Sequence, residues 1–160
     1  MTIYQICKIL ITAIGVYVAY RQLKNNTNAK KDDTQLTIKI ETEHKLSEYK
    51  NLSIRELENN KVIKYLDTTD DVKPLSFEII QKEIRKHPKI KGEIHTLLNY
   101  YESIIRGINN GLYNQKMVED WGANRMKRAY RKFQRYIKER QINNPKAWEL
   151  LSKYMEKNSK

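Results

Sequence analysis

The chain has 160 residues, with 31 Lys and Arg against 19 Asp and Glu, a formal charge of +12, one Cys, five Gly and three Pro. That length holds one ordinary core and not two. A single cysteine excludes a disulfide framework and a multi-thiolate zinc site. Few Gly and Pro beside 31% charged residues point to a helical protein rather than a turn-rich sandwich. The mean hydropathy of −0.80 suggests a soluble body, but an average can hide one apolar segment.

That segment is at the start. Ile3, Ile6, Ile9, Leu10, Ile11, Ile14, Val16, Val18 and Tyr20 fall in a stretch whose only charged side chain is Lys8. As a helix, Ile3 to Tyr20 rises roughly 27 Å at 1.5 Å per residue, close to a hydrocarbon core about 30 Å thick. Lys8 sits near the outer end, where its stem can lie along lipid while its ammonium reaches the interface. Tyr4 and Tyr20 sit where amphipathic rings prefer to be. A cleaved signal peptide fits less well, because the heavier charge follows the apolar run and no small-x-small site does. A buried core helix would need a domain of modest size to cover it on every side. Residues 1–21 are therefore expected to be a transmembrane anchor. Arg21, Lys24, Lys30 and Lys31 follow it, and such flanks stay on the cytoplasmic side. This places the N-terminus outside and the rest of the chain in the cytoplasm, at a bacterial inner membrane or plasma membrane. Gly15-x-x-x-Ala19 is a small-xxx-small spacing that favours homo-oligomers.

Residues 22–52 read as a juxtamembrane helix or linker, and residues 53–160 as a cytoplasmic helical domain. The whole is all-α, a single N-terminal transmembrane helix followed by a bundle of about six or seven helices. Ser53-Ile-Arg-Glu56 has the form of a capping box and opens a helix carrying Leu57, Val62, Ile63 and Leu66. That helix stops at Asp67-Thr-Thr-Asp-Asp71. Pro74 and Ser76 lead into a short helix from Phe77 to Lys86, ended by His87-Pro88. Ile90, Ile94, Leu97, Leu98, Tyr101, Ile105 and Ile108 form the clearest core stripe, terminated at Asn109-Asn110-Gly111. A short helix from Asn114 to Trp121 precedes a basic one from Ala123 to Gln141. Asn144-Pro145 predicts an N-cap with Pro at the first helical position, starting a last helix with Trp148, Leu151 and Met155 on one side.

The charge is unevenly placed. Residues 21–31 carry +4, residues 32–120 carry −2, and the last 40 residues carry +9. The first block is explained by topology. The last is concentrated in the basic helix, where Arg125, Arg128, Arg131, Lys132, Arg135 and Lys138, with Lys127 and Arg140, surround a stripe of Met126, Ala129, Tyr130, Phe133 and Ile137. The bland reading is a solvated face of a core helix. The leading functional reading is contact with anionic membrane lipid, at about 1 kcal/mol per base near the surface. A nucleic acid, stacking on the interleaved aromatics, and an acidic protein are the other partners such a face suits.

A second candidate is the polar stripe His95, Asn99, Glu102 and Arg106, at i, i+4, i+7 and i+11. It could form a small acid–base or ligand-binding face. More often such groups serve structure, as a Glu102–Arg106 pair or as partners of backbone groups in the Gly111 turn. Glu41-x-x-His44 has the spacing of carboxylate-bridged metal bundles, but no second such pair exists, so no metal is expected. The chain has no G-x-S-x-G, P-loop or G-x-G-x-x-G, and its one cysteine lies in the apolar segment, so no catalytic residue and no cofactor is assigned.

Leu98, Asn99, Tyr100, Tyr101, Glu102, Gly111 and Leu112, with Arg128, Tyr130, Phe133, Tyr136 and Ile137 downstream, resemble a family of small bacterial proteins of unknown function. The resemblance implies one N-terminal membrane helix and a cytoplasmic all-helical domain, and supplies no activity. The chain departs from it in its unusually basic helix. The expected function is thus a membrane-anchored, non-enzymatic interaction or regulatory module. The alternatives are a tethered nucleic-acid-binding protein and an enzyme working through the His95–Arg106 stripe.

Overall fold

The computed structural model describes residues 3–64 and 72–158, with side chains described from residue 15 onward. It divides into two units, Met1–Ile40 and Glu41–Lys160. Six α-helices and one 3-10 turn make up the described residues, with no strand among them.

The first unit consists of helix α1, Ile3–Ser47, as far as Ile40. The hydroxyls of Thr27, Thr34 and Thr37 donate to the carbonyls of Leu23, Lys30 and Asp33 at 2.8–2.9 Å, so each polar group is satisfied by its own helix. Among the described residues no helix is long and apolar enough to cross a membrane. The side chains of Ile3, Ile6, Ile9, Leu10, Ile11 and Ile14 lie outside those described. Val16, Val18 and Tyr20 are exposed, as are Arg21, Lys24, Lys30 and Lys31.

The second unit is built around α4, Lys89–Asn109, which touches α2 (Arg55–Asn59), α3 (Phe77–Lys86), α5 (Gln115–Asn143) and α6 (Glu149–Lys157). The periodic stripe is the reason. Ile90, Ile94, Leu97, Leu98, Tyr101 and Ile105 are fully buried and Ile108 partly so. They pack with Leu57, Ile63, Ile80, Phe133, Tyr136 and Leu151. Full burial of each such aliphatic side chain contributes about 1.5–3 kcal/mol. The end of α1 joins this core through Leu46. The Tyr100 hydroxyl donates to the Lys45 carbonyl at 2.9 Å, and the buried Thr42 hydroxyl accepts the Asn114 N–H at 2.8 Å.

Local caps fall where the sequence puts them. The Ser76 hydroxyl accepts from the Ile79 N–H and starts α3, and the Asn114 side chain accepts from the Met117 N–H and starts α5. Two starts differ. The Ser53–Glu56 box does not form. The Ncap of α2 is Ile54, without a side-chain cap, and the amides of Glu56 and Leu57 donate instead to the Glu93 carboxylate of α4, at 3.3 and 2.7 Å. The helix ends at Asn59, because the Asn60 side chain turns the chain by accepting from the Val62 and Ile63 amides. Leu66 and Asp67–Asp71 lie outside the described residues. Likewise the last helix does not start at Asn144-Pro145. Those residues form a turn closed by the Ala147 N–H on the Asn144 carbonyl, and α6 begins at Glu149. The short and the basic helix expected after Gly111 both form and meet at a kink within α5, where Gly122 leaves the helical conformation (φ −161°, ψ 17°).

The end of α4 is a Schellman turn. Gly111 has φ of +69°, its N–H reaches the Ile108 carbonyl, and the Leu112 N–H reaches the Gly107 carbonyl. The returning Tyr113 ring lies on Gly107, where a Cβ would overlap its carbons. Gly107→Ala should therefore cost about 1–3 kcal/mol through overpacking. Gly92→Ala, at an exposed position on the same helix with nothing within 4 Å, should gain about 0.5–1 kcal/mol. Urea unfolding midpoints that move the same way for both variants would contradict this packing.

Candidate functional site

The polar stripe of α4 lines one wall of a pocket of about 420 Å³, closed by the end of α5 and by the turn that leads into α6. This volume lies within the range of about 300–1,000 Å³ common to small-ligand sites. His95, Asn99, Glu102 and Arg106 all reach it, joined by Arg140 and Asn143 of α5 and by Asn144, Lys146 and Trp148 of the turn.

Three of the four stripe residues hold the C-terminal elements in place. The His95 Nε2 and the Tyr136 hydroxyl share a hydrogen bond of 2.9 Å. The Trp148 indole N–H donates to the Asn99 side-chain oxygen at 2.8 Å. Glu102 is buried, and its two oxygens accept the Leu150 and Leu151 amides at 3.2 and 2.7 Å. These are the second and third residues of α6, whose amides have no intrahelical partner. Glu102 thus makes no pair with Arg106 and serves α6 rather than the Gly111 turn. Trp148 carries the strain of the arrangement, with φ of 50° and ψ of 37° in the left-handed region that bulky residues rarely enter.

The free charge around the pocket is positive. None of the described ion pairs involves Arg106, Arg140 or Lys146. The Arg140 guanidinium lies over the Tyr136 ring, 5.2 Å from its centre, with Nε buried and without a hydrogen-bond partner. Partial burial pushes the His95 pKa below its ordinary value, and the charges of Arg140 and Lys91 add to that.

The basic helix is less open than its sequence suggests. Arg135 and Lys138 are exposed, whereas Arg128, Arg131 and Lys132 are half-buried and each has an interaction partner. Arg125 is exposed but lies 5.7 Å from the ring centres of both Tyr49 and Trp121. Tyr130, Phe133 and Tyr136 are buried in the core, so none of them offers a ring for base stacking. Among the described residues no three His, Cys, Asp or Glu side chains gather at a metal-binding distance. His44 instead faces Glu48 at 3.9 Å.

The sequence placed Arg140 in the basic helix and Trp148 on the apolar side of the last helix, and brought neither of them, nor Lys146, to the polar stripe. Arg140 stands four residues after Tyr136, which turns it out of the basic arc and towards the core edge, a signal that a helical wheel contains. Lys146 and Trp148 depend on the turn conformation and carry no such signal.

Two outcomes follow for stability. Glu102→Ala leaves two amides unsatisfied and should cost about 2–3 kcal/mol, with the Leu150 and Leu151 amides losing hydrogen-exchange protection first. For His95, the folded pKa lies below the 6.5 of the open chain, so the unfolded state takes up the proton first as pH falls. The stability is full above pH 6.5 and declines below it. His95→Gln should flatten that decline. Urea unfolding at pH 7.5 and 5.5 measures it, and an equal acid loss in both proteins would contradict the assignment.

No curated protein and no solved structure matches the chain. A family model does, over residues 9–157, which include both α1 from Ile9 onward and every helix that builds the pocket. The chain belongs to the family defined by the domain of unknown function DUF4760.

Proposed function

We propose that the protein is a membrane-tethered, non-enzymatic interaction module, anchored by residues 1–21, whose helical unit engages an anionic lipid or an acidic partner. One observation carries this reading. The polar side chains best suited to acid–base chemistry are already committed to the fold, His95 to Tyr136, Asn99 to Trp148 and Glu102 to two amides of α6. A carboxylate holding two backbone amides cannot take a substrate proton without releasing the helix it caps. The groups left for a partner are cations, Arg106, Arg140 and Lys146 at the pocket and Arg135 and Lys138 on α5.

The tether is supported by the apolar run of the sequence and by its described end. Val16, Tyr17, Val18, Tyr20 and Leu23 are 46–67% exposed, an apolar surface that water disfavours and lipid accepts. Arg21, Lys24, Lys30 and Lys31 follow at once, which orients the chain with its helical unit in the cytoplasm. The full-length chain should stay in the membrane pellet through alkaline carbonate extraction. The Ile11→Asp, Ile14→Asp double variant should be released, since each charge costs about 2.5–3.5 kcal/mol near the centre of a spanning helix. A C-terminal tag should survive protease added to intact cells. Recovery of the unaltered chain in the carbonate supernatant would remove the anchor, and external digestion of the tag would reverse its orientation.

A further inference from the structure

We propose that the pocket between α4, the end of α5 and the α5–α6 turn binds the phosphate group of a phosphomonoester. Two arginines and one lysine, Arg106, Arg140 and Lys146, line it. The one carboxylate in its wall, Glu102, is engaged by the α6 amides and offsets only one of these three positive charges. None of the three makes a described ion pair, although Lys146 acts at longer range on the Glu149 carboxylate, and the net positive charge left in the wall suits a dianion better than a singly charged group. The planar fork of arginine matches phosphate oxygens with two donors at once.

Two further observations point the same way. The Arg140 Nε is a buried donor without a hydrogen-bond partner, on a guanidinium already held in place by the Tyr136 ring. With Nε buried, the terminal guanidinium nitrogens are the donors that a phosphate oxygen would meet. Trp148, on the opposite lip, is held in a left-handed conformation by the hydrogen bond of its indole to Asn99 and by the capped amides that follow it. Strain of this kind gathers at ligand sites, where the surrounding structure maintains it. The same indole bond fixes the Asn99 oxygen as acceptor and leaves its amide nitrogen as a donor in the wall. About 420 Å³ exceeds what a bare phosphate fills and leaves room for a small organic group, whether a soluble metabolite or the headgroup end of a lipid. The site belongs to the helical unit alone and stands or falls independently of the membrane anchor.

The test uses the full-length, 15N-labelled chain in neutral detergent micelles. Its two tryptophans, Trp121 and Trp148, give two indole N–H resonances. Adding glycerol 3-phosphate should move the Trp148 resonance saturably and leave that of Trp121 in place. Arg106→Gln and Arg140→Gln should each weaken the titration by about tenfold or more, as expected for loss of a charge-assisted contact. Arg85→Gln removes the same charge from the exposed end of α3, outside the pocket, and should leave the affinity within about twofold. If Arg140→Gln collapses the dispersion of the amide spectrum, Arg106→Gln, at an exposed position, decides the matter. A second series replaces glycerol 3-phosphate with phosphatidic acid mixed into the micelles. Whichever phosphomonoester gives the shift that depends on Arg106 and Arg140 identifies the source as soluble or lipid. No shift of Trp148 with either, or a shift that Arg85→Gln weakens as much as Arg140→Gln does, overturns the proposal.

Discussion

Two buried glutamates on one helix organise everything else in the helical unit. Glu93 and Glu102 stand nine residues apart on α4, and at 100° per residue that separation turns them to opposite sides. Each accepts the amides of the second and third residues of a neighbouring helix, Glu93 from α2 and Glu102 from α6, with a closer contact of 2.7 Å in both cases. The first amides of a helix lack intrahelical partners and carry the positive end of its dipole, so a carboxylate there supplies hydrogen bonds and charge complementarity together. Hydrogen bonds to a charged group contribute about 1.5–3 kcal/mol. Here they also fix direction, since α2 and α6 must each bring their N-terminal end to α4.

Capping from a distance frees the residue at the helix start. A helix that caps itself places Ser, Thr, Asp or Asn there. α2 and α6 place Ile54 and Trp148 instead, and both are buried. The position that would have held a small polar group contributes to the core, and at α6 it contributes an indole to the edge of the pocket. The pocket follows from this. With Glu102 holding the amides of α6 and Asn99 the indole, the turn from Asn144 to Trp148 is drawn over the polar stripe of α4 and closes a cavity that the stripe alone could not enclose.

This arrangement also marks where the sequence was legible. The α4 stripe, Ser76 before α3, Asn114 before α5 and the Gly111 turn rest on neighbours within a few residues, and local rules locate all of them. The starts of α2 and α6 rest on glutamates 36 and 49 residues away. The local signals at Ser53–Glu56 and Asn144-Pro145 were good ones, and they lost to a buried carboxylate that no local rule sees. The polar stripe was visible as a spacing. Its partners Tyr136, Trp148 and Leu151 come from other elements, so its structural duty became apparent only with the fold. Arg140 and Lys146 belong to the pocket for the same reason.

The distribution of charge receives a similar reinterpretation. A net +9 over the last 40 residues reads in one dimension as a single basic face. In the fold it separates by environment. Arg125 rests near Tyr49 and Trp121, Arg128, Arg131 and Lys132 have partners, Arg135 and Lys138 meet solvent, and Arg140 and Lys146 enter the pocket. A diffuse surface of bases would attract any polyanion, in proportion to ionic strength and with little selectivity. Cations lining a cavity, one of them held against an aromatic ring, instead select for shape and number of oxygens. The strongly basic end of this chain is thus three populations of charge, bases that line the pocket, bases held by rings or partners, and bases that meet solvent, rather than one uniform surface.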